Sequence, residues 1–349
     1  MTQAARVQLH TGILMSDAEL SAYGPVENAA DRARTLLFQQ ASVWDALRER
    51  YEALSRVEWK EFDFAGSHIR VQFNPARLRS TTAAVDNTSI RERPCFLCPD
   101  RIAAPQRGFI LERRFLLLCN PYPIFPEHFT IAHREHTPQR LRASIGDFLS
   151  LTSLLGSRYL LLYNGPSCGA SAPDHLHFQA GSRGFLPVER DFKSLRAGLA
   201  AIVEERKGLL AMAVDGPLRP YLVFESPVHE ILESALRAYL DVAAEIRPDP
   251  LEPMVNVLSS YDENRWRVWI FPRAKHRPAR YGMQGDRRLI VSPAAADCGG
   301  VLILPREEDF RRLEREDVLE VFNEVSLSGT SFELLRGRLK IALHTMKAP

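Results

Sequence analysis

Cysteine is scarce in this chain: five in 349 residues, two of them in one Cys-x-x-Cys, Cys95 and Cys98. That usage points away from a disulfide framework and suits a reducing cytoplasm, the location expected. No uncharged apolar run approaches the ~18–20 residues needed to cross a bilayer, so no membrane span is expected. The opening MTQAARVQLHTGILMSDAEL has no basic stretch followed by a long apolar run, and no signal peptide is expected. Charge of one sign is lacking too. Lysine and arginine total 45 against 43 acids, a net charge of +2. Bulk electrostatics of that size do not hold nucleic acid, so none is expected as a partner. Short-period repeats, long linkers and low-complexity tracts are also missing. What remains is 45% hydrophobic and 25% charged residues, the balance of a globular chain long enough for two domains or one duplicated unit.

The apolar pattern divides the chain. Leu37, Ala41, Trp44, Leu47, Tyr51 and Leu54 recur every three or four residues, which predicts a helix from about Glu27 to Val57. Phe62 and Phe64, then Ile69, Val71 and Phe73, alternate around Ala65-Gly66-Ser67 and predict a hairpin. Gly108–Cys119 and Glu127–Ala132 read as strands, Gln139–Leu155 as an amphipathic helix, and Tyr159–Tyr163 and His175–Ala180 as two more strands. A second unit is expected after about Gly208. It opens with strand Tyr221–Glu225, and its helix is capped by Ser226-Pro227 and runs to about Ile246. Val255–Leu258 and Trp266–Phe271 form a hairpin, Leu289–Val291 and Gly300–Leu304 add strand, and the tail is helical. The expected class is therefore α+β, two related halves on antiparallel sheet, divided as residues 1–207 and 208–349.

Five of the ten histidines fall within His128–His177. On a strand alternate side chains share a face, so His175, His177 and Gln179 would line one side about 7 Å apart, with Leu176 and Phe178 in the core. A solvent-facing polar strand is the plainer alternative. The loop before them, Asn164 to Ser171, is rich in small residues; Gly165 and Gly169 permit positive φ and close backbone approach to a phosphate. Pro94-Cys95-Phe96-Leu97-Cys98-Pro99 supplies two thiolates, and a tetrahedral zinc site needs two further ligands. With no second Cys-x-x-Cys these must be histidines. His136 and His175 are the candidates, His133 and His128 the competitors. A thiol redox pair or two uncoordinated thiols are the other readings.

These segments resemble a known group. PCFLCPDR is similar to the zinc segment of galactose-1-phosphate uridylyltransferases, and GASAPDHLHFQ to their active-site segment. NPYPIFPEHFTIAHREH resembles the strand-and-histidine segment of the histidine-triad superfamily. HLHFQAG followed by FLPVE looks closer still to GDP-hexose phosphorylases, and the later VSPAAADCGGVLILPREEDF resembles the C-terminal part of that group and of related bacterial proteins of unassigned activity. The resemblance implies a histidine-triad-like fold and a covalent nucleotidyl-histidine. It carries the nucleophile onto His177 and the phosphoryl-oxygen contact onto Gln179. Asn164, Gly169 and Ser171 take phosphate-loop positions, and Cys95, Cys98, His136 and His175 the structural zinc set. The implied donor is a nucleoside diphosphate hexose, guanine favoured, with phosphate or a sugar phosphate as acceptor, and a homodimer is implied as well. A backbone carbonyl on the other ring nitrogen would fix the His177 tautomer.

In the second unit, Phe271–Arg288 holds six Lys/Arg against one acid, Asp286. It reads as a solvated loop or as an acceptor-phosphate site using Arg273, Lys275 and Arg277, with His276 assisting. Trp266 and Trp269 read as sheet packing. Two rivals to the enzyme remain: a zinc-stabilised nucleotide-binding module without turnover, and a hydrolase or phosphorylase of dinucleoside polyphosphates.

Overall fold

In the computed structural model, residues 12–346 are described except 83–85, 103, 199, 207 and 217. The first eleven residues, half of the opening segment, thus lie outside the described residues. Ten strands form one sheet: β3 (Gly108–Leu111), β4 (Phe115–Cys119), β5 (His128–His133), β6 (Tyr159–Asn164), β7 (His177–Ser182), β8 (Ala200–Arg206), β9 (Leu209–Asp215), β10 (Pro220–Ser226), β11 (Val255–Asp262) and β12 (Arg265–Pro272). Their order is β3-β4-β5-β7-β6-β11-β12-β10-β9-β8, antiparallel throughout. Read from each outer edge inward, both halves follow one plan: three meandering strands, a helix, then a pair inserted in reverse order. The halves meet where β6 pairs with β11, a register that sets Asn164 opposite Asn256. The α+β class and the two related halves are as expected.

Helices cover one face of this sheet. They include α1 (Ala29–Val43), α2 (Asp45–Leu54), α3 (Ile145–Leu155), α5 (His229–Ile246) and α7 (Thr330–Thr345). The opposite face carries α4 (Pro187–Gly198), α6 (Arg315–Val325) and a small second sheet. In that sheet β1 (Glu58–Phe64) and β2 (Ser67–Phe73) turn through Ala65 and Gly66, both at positive φ, and β13 (Val301–Leu304) joins β2 in parallel. Alternation on the central strands decides what faces where. Phe178, Ala180, Phe129 and Ile131 enter the helical core. Their neighbours His177, Gln179, His128 and Thr130 therefore face the other way, because successive strand side chains point to opposite faces.

Several expectations change in detail. The helix expected over residues 27–57 breaks at Trp44, whose extended backbone (φ −125°, ψ 91°) ends α1 and starts α2. Gly108–Cys119 is a hairpin, not one strand; Glu112 and Arg113 turn it at positive φ without a glycine to signal it. The helix expected from Gln139 begins only at Ile145, and α5 begins at His229, because Ser226 still belongs to β10. Leu289–Val291 is buried but forms no strand. The boundary at 207/208 falls inside the β8–β9 hairpin; since β8 pairs with β9, the second half starts at Ala200. Trp266 and Trp269 are buried, and Trp266 Nε1 donates to the Leu149 carbonyl (2.9 Å), which is packing as expected. No helix among the described residues is long and apolar enough to cross a membrane.

Candidate active site

A cavity of about 980 Å³ opens on the face of the sheet away from α3 and α5, lined by residues of both halves. His177, Gln179, Asn164, Gly169 and Ser171 all reach it. His177 is the first residue of β7 and 4% exposed. Its backbone is held on both sides by one side chain: the N–H donates to Gln139 Oε1 (2.8 Å), and its carbonyl accepts from Gln139 Nε2 (3.0 Å). Its ring Nδ1 lies 2.8 Å from the His175 carbonyl. A carbonyl only accepts, so Nδ1 carries the proton and Nε2 is left with its lone pair. Burial holds the imidazole below its ordinary pKa, which keeps it neutral.

The same logic orients the carboxamides. His128 Nδ1 accepts the Ile124 N–H (3.2 Å), so its Nε2 is the donor, and it meets Gln179 Oε1 at 2.8 Å. With its oxygen occupied, Gln179 turns its NH₂ toward the cavity. Asn164 Oδ1 is likewise occupied, accepting from Asn256 Nδ2 (2.9 Å) and the Ala295 N–H (2.8 Å). Two amide donors thus stand beside a neutral imidazole. Burial pushes His128 down to about 3. The loop between them is fixed from the second half: Gly165 N–H donates to the Val255 carbonyl (3.0 Å), and Asn256 Nδ2 also donates to that of Cys168 (2.8 Å). Gly169 sits at φ +104°, and a Cβ there would lie 2.7 Å from that of Ala294, so glycine is required twice over.

The ligating atoms of Cys95, Cys98, His136 and His175 all lie within 4.8 Å of one another. Cys95 Sγ is 3.3 Å from His175 Nδ1, and Cys98 Sγ is 3.3 Å from His136 Nδ1. Separations of that size fit the edges of a tetrahedron with two sulfur and two nitrogen ligands, so these residues can hold a metal ion. His175 Nε2 donates to the His133 carbonyl (2.7 Å), which leaves Nδ1 as the ligating atom and supplies the outer support such ligands need. Burial, and then Cys95, push the Cys98 thiol up to about 12. The competitors fall away: His133 bonds to Glu135 and His128 to Gln179. His175 is not on the strand as alternation implied. It lies in a turn, its N–H on the Ala172 carbonyl (3.1 Å), and its ring faces the thiols instead of joining a row with His177. Asp174 pairs with Arg93 (2.9 Å) beside this cluster.

The basic stretch is divided. Arg273 is 1% exposed and donates to the carbonyls of Val325, Pro293, Lys275 and His276 and to Asn256 Oδ1. It is an internal clamp with no donor left for a phosphate, which corrects its expected role. Lys275 is exposed, pairs with Glu324 (3.0 Å) and lies off the cavity lining, so it too is corrected. Arg277 and His276 do line the cavity. Sequence reasoning missed Gln139, which acts on backbone, and Asn256, which holds the Asn164 side chain and the Cys168 carbonyl, and took His128 only as a possible metal ligand.

The family described as "Domain of unknown function (DUF4922)" matches residues 36–182, and "GDPGP1-like, C-terminal domain" matches residues 252–345. No curated protein matches the chain. Among solved structures, yeast Ap4A phosphorylase Apa2 in complex with AMP is similar at a TM-score of 0.53 and 17% identity, covering 82% of this chain and 96% of that one. The same phosphorylase in complex with Ap4A gives 0.52 and 16%, covering 82% and 97%. At these identities the likeness is one of fold.

Proposed function

From the histidine-triad-like fold that this chain has, we propose a nucleotidyltransferase or phosphorylase that works through a covalent nucleotidyl-histidine on His177. One observation carries this reading: a neutral imidazole, its Nδ1–H fixed on a carbonyl, lines a large cavity beside two oriented amide donors. A binding module has no need of that arrangement. Nε2 attacks the α-phosphorus of a nucleoside diphosphate hexose, guanine favoured; the P–N bond forms as the P–O bond to the departing hexose 1-phosphate breaks. The Nδ1–H stays on the His175 carbonyl, which stabilises the charge the ring acquires. The amides of Gln179 and Asn164, with the loop at Gly169 and Ser171, bind the phosphoryl oxygens, so catalysis rests on positioning and preorganised donors. Phosphate or a sugar phosphate then takes the nucleotidyl group. The matched "GDPGP1-like" description supports the guanine donor. The Ap4A phosphorylase likeness supports a second donor class, dinucleoside polyphosphates. Zinc is the proposed occupant of the Cys₂His₂ cluster; when bound it ties three chain segments together and takes no part in the transfer.

Intact-protein mass spectrometry tests this. Protein is mixed with GDP-, ADP- or UDP-hexose, or with a dinucleoside tetraphosphate, without acceptor. A gain of one nucleotide is expected, absent in a folded His177→Asn variant that has also lost turnover. No gain with any donor would overturn the covalent mechanism.

A further inference from the structure

The pairing between β6 and β7 stops short of the two residues that flank the cavity floor. Tyr159, Leu160, Leu161 and Leu162 face Ser182, Gly181, Ala180 and Gln179 in register. Continued by two residues, that register would make Asn164 and His177 direct neighbours across the ladder. Instead each is paired only on its outer side, Asn164 with Asn256 of β11 and His177 with Ala132 of β5. Between them stands the fully buried side-chain amide of Gln139. Its Oε1 accepts the His177 N–H (2.8 Å), and its Nε2 donates to the carbonyls of both His177 (3.0 Å) and Asn164 (2.9 Å). One carboxamide thus takes the place of a rung, offering a donor and an acceptor where a strand would have them.

Gln139 is itself fixed at its root. Its N–H donates to the Pro173 carbonyl (3.2 Å). Glu252 of the second half, also buried, accepts the N–H groups of Leu141 (2.7 Å) and Arg142 (3.1 Å) on Oε2 and the Tyr163 hydroxyl (2.6 Å) on Oε1. That carboxylate ties the segment carrying Gln139 to the strand carrying Asn164. Directly opposed residues of an antiparallel pair have their Cβ atoms about 4.5–5.5 Å apart. A phosphoryl group between the His177 ring and the Asn164 amide needs more room. It takes an attack distance of about 3–3.5 Å on one side and a hydrogen bond of about 2.9 Å on the other, with a P–O bond between. An inserted amide widens the ladder by one layer of hydrogen bonds, while His177 and Asn164 both still line the cavity.

We infer that Gln139 is a positioning residue for nucleotidyl transfer: its amide holds β6 and β7 apart at Asn164 and His177, so that the transferred phosphoryl group fits between their side chains. This rests on His177 as the nucleotidyl carrier and says what sets the distance from carrier to amide donor. Gln139 touches no substrate; it acts through the backbone of the two residues that do.

Three variants separate spacing from stability. Gln139→Met keeps the length without the hydrogen bonds, and Gln139→Asn keeps the amide on a stem one methylene shorter. Gln139→Glu keeps the length and, buried beside two carbonyls, takes up a proton and donates to one of them. Binding of GMP, AMP and UMP, and of guanosine, adenosine and uridine, is measured calorimetrically, with circular dichroism and thermal melting as folding controls. Adduct formation is timed by mass spectrometry with GDP-glucose, ADP-glucose, UDP-glucose and diadenosine tetraphosphate. In the wild type a nucleotide should bind more tightly than its nucleoside. That advantage should fall about tenfold or more in Gln139→Met and Gln139→Asn, the adduct should form more slowly to match, and nucleoside affinity should stay as it was. Gln139→Glu should recover part of both, and its remaining loss is the test where the other two variants do not fold. An equal loss for nucleoside and nucleotide, or a lower melting temperature with nucleotide advantage and adduct rate unchanged, would overturn the inference and leave Gln139 a structural residue. A wild type that binds nucleotide and nucleoside alike would overturn it too. A Gln139-dependent nucleotide advantage in a wild type that forms no adduct would instead sink the His177 carrier and leave the spacing role standing.

Discussion

His128 lies one strand away from His177, and its two ring nitrogens decide what Gln179 offers the cavity. The Ile124 N–H fixes one nitrogen as acceptor, and the amide oxygen of Gln179 takes the other as donor. Protonating His128 would break the first bond, and the buried ring resists it, with its pKa held down to about 3. The unfolded chain binds that proton near its ordinary pKa of about 6.5. Between those values the unfolded state carries the proton and the native state does not. The neutral ring's stability is therefore complete above about pH 6.5 and is lost as pH falls, at up to about 1.4 kcal/mol per pH unit. Thermal midpoints measured from pH 7 to pH 4 should fall more steeply for the wild type than for His128→Gln, the difference amounting to one proton. Parallel curves would show that His128 titrates freely in the native state. His276, held to about 4 by burial, adds its own share to both curves and cancels in the comparison.

Between elements, the Cys₂His₂ cluster joins the turn after Pro94, the segment after β5 and the turn before β7. It also bears on His177, because the His175 carbonyl holds the Nδ1–H of that ring (2.8 Å). Purified protein should hold about one equivalent of zinc, and Cys95→Ser/Cys98→Ser should lose it together with several degrees of melting temperature. Metal-free wild type with an unchanged melting curve would refute a structural ion. This quartet was legible in the sequence because thiols and imidazoles are few and their chemistry is specific. The row of three polar groups was misread because period-two alternation does not say where a strand begins. Leu176 N–H turns to the Thr137 carbonyl, so the pairing with β5 starts only at His177 and that with β6 at Gln179. The hairpin β8–β9 escaped notice for a related reason: Ala200–Arg206 shows burial at Val203 alone, which leaves no alternation to read.

Across the whole molecule, β7 and the loop from Asn164 to Ser171 belong to the first half, but the atoms that fix the loop come from the second. Arg273 holds Asn256, and Asn256 holds both Asn164 and the Cys168 carbonyl. Nothing in one dimension marks this, since Arg273 sits in a basic stretch that reads as surface and Asn256 in an ordinary strand. Their roles exist only because β6 and β11 pair in a register that puts Asn164 opposite Asn256. The consequence is that the two halves, alike as they are in strand order, should not be separable. A fragment ending at Gly198 would expose the edge of β6, a strand buried along its whole length, with unpaired N–H and C=O groups and the leucines of YLLLYN beside them. Such an edge favours association over independent folding. The fragment is expected to be insoluble, or soluble only as aggregates by size-exclusion chromatography, and the intact chain to unfold in one cooperative transition. Co-expression of the two fragments should restore solubility by re-forming the β6–β11 pair. A monomeric fragment with its own sharp thermal transition would show instead that the first half folds alone and that the second merely decorates its site.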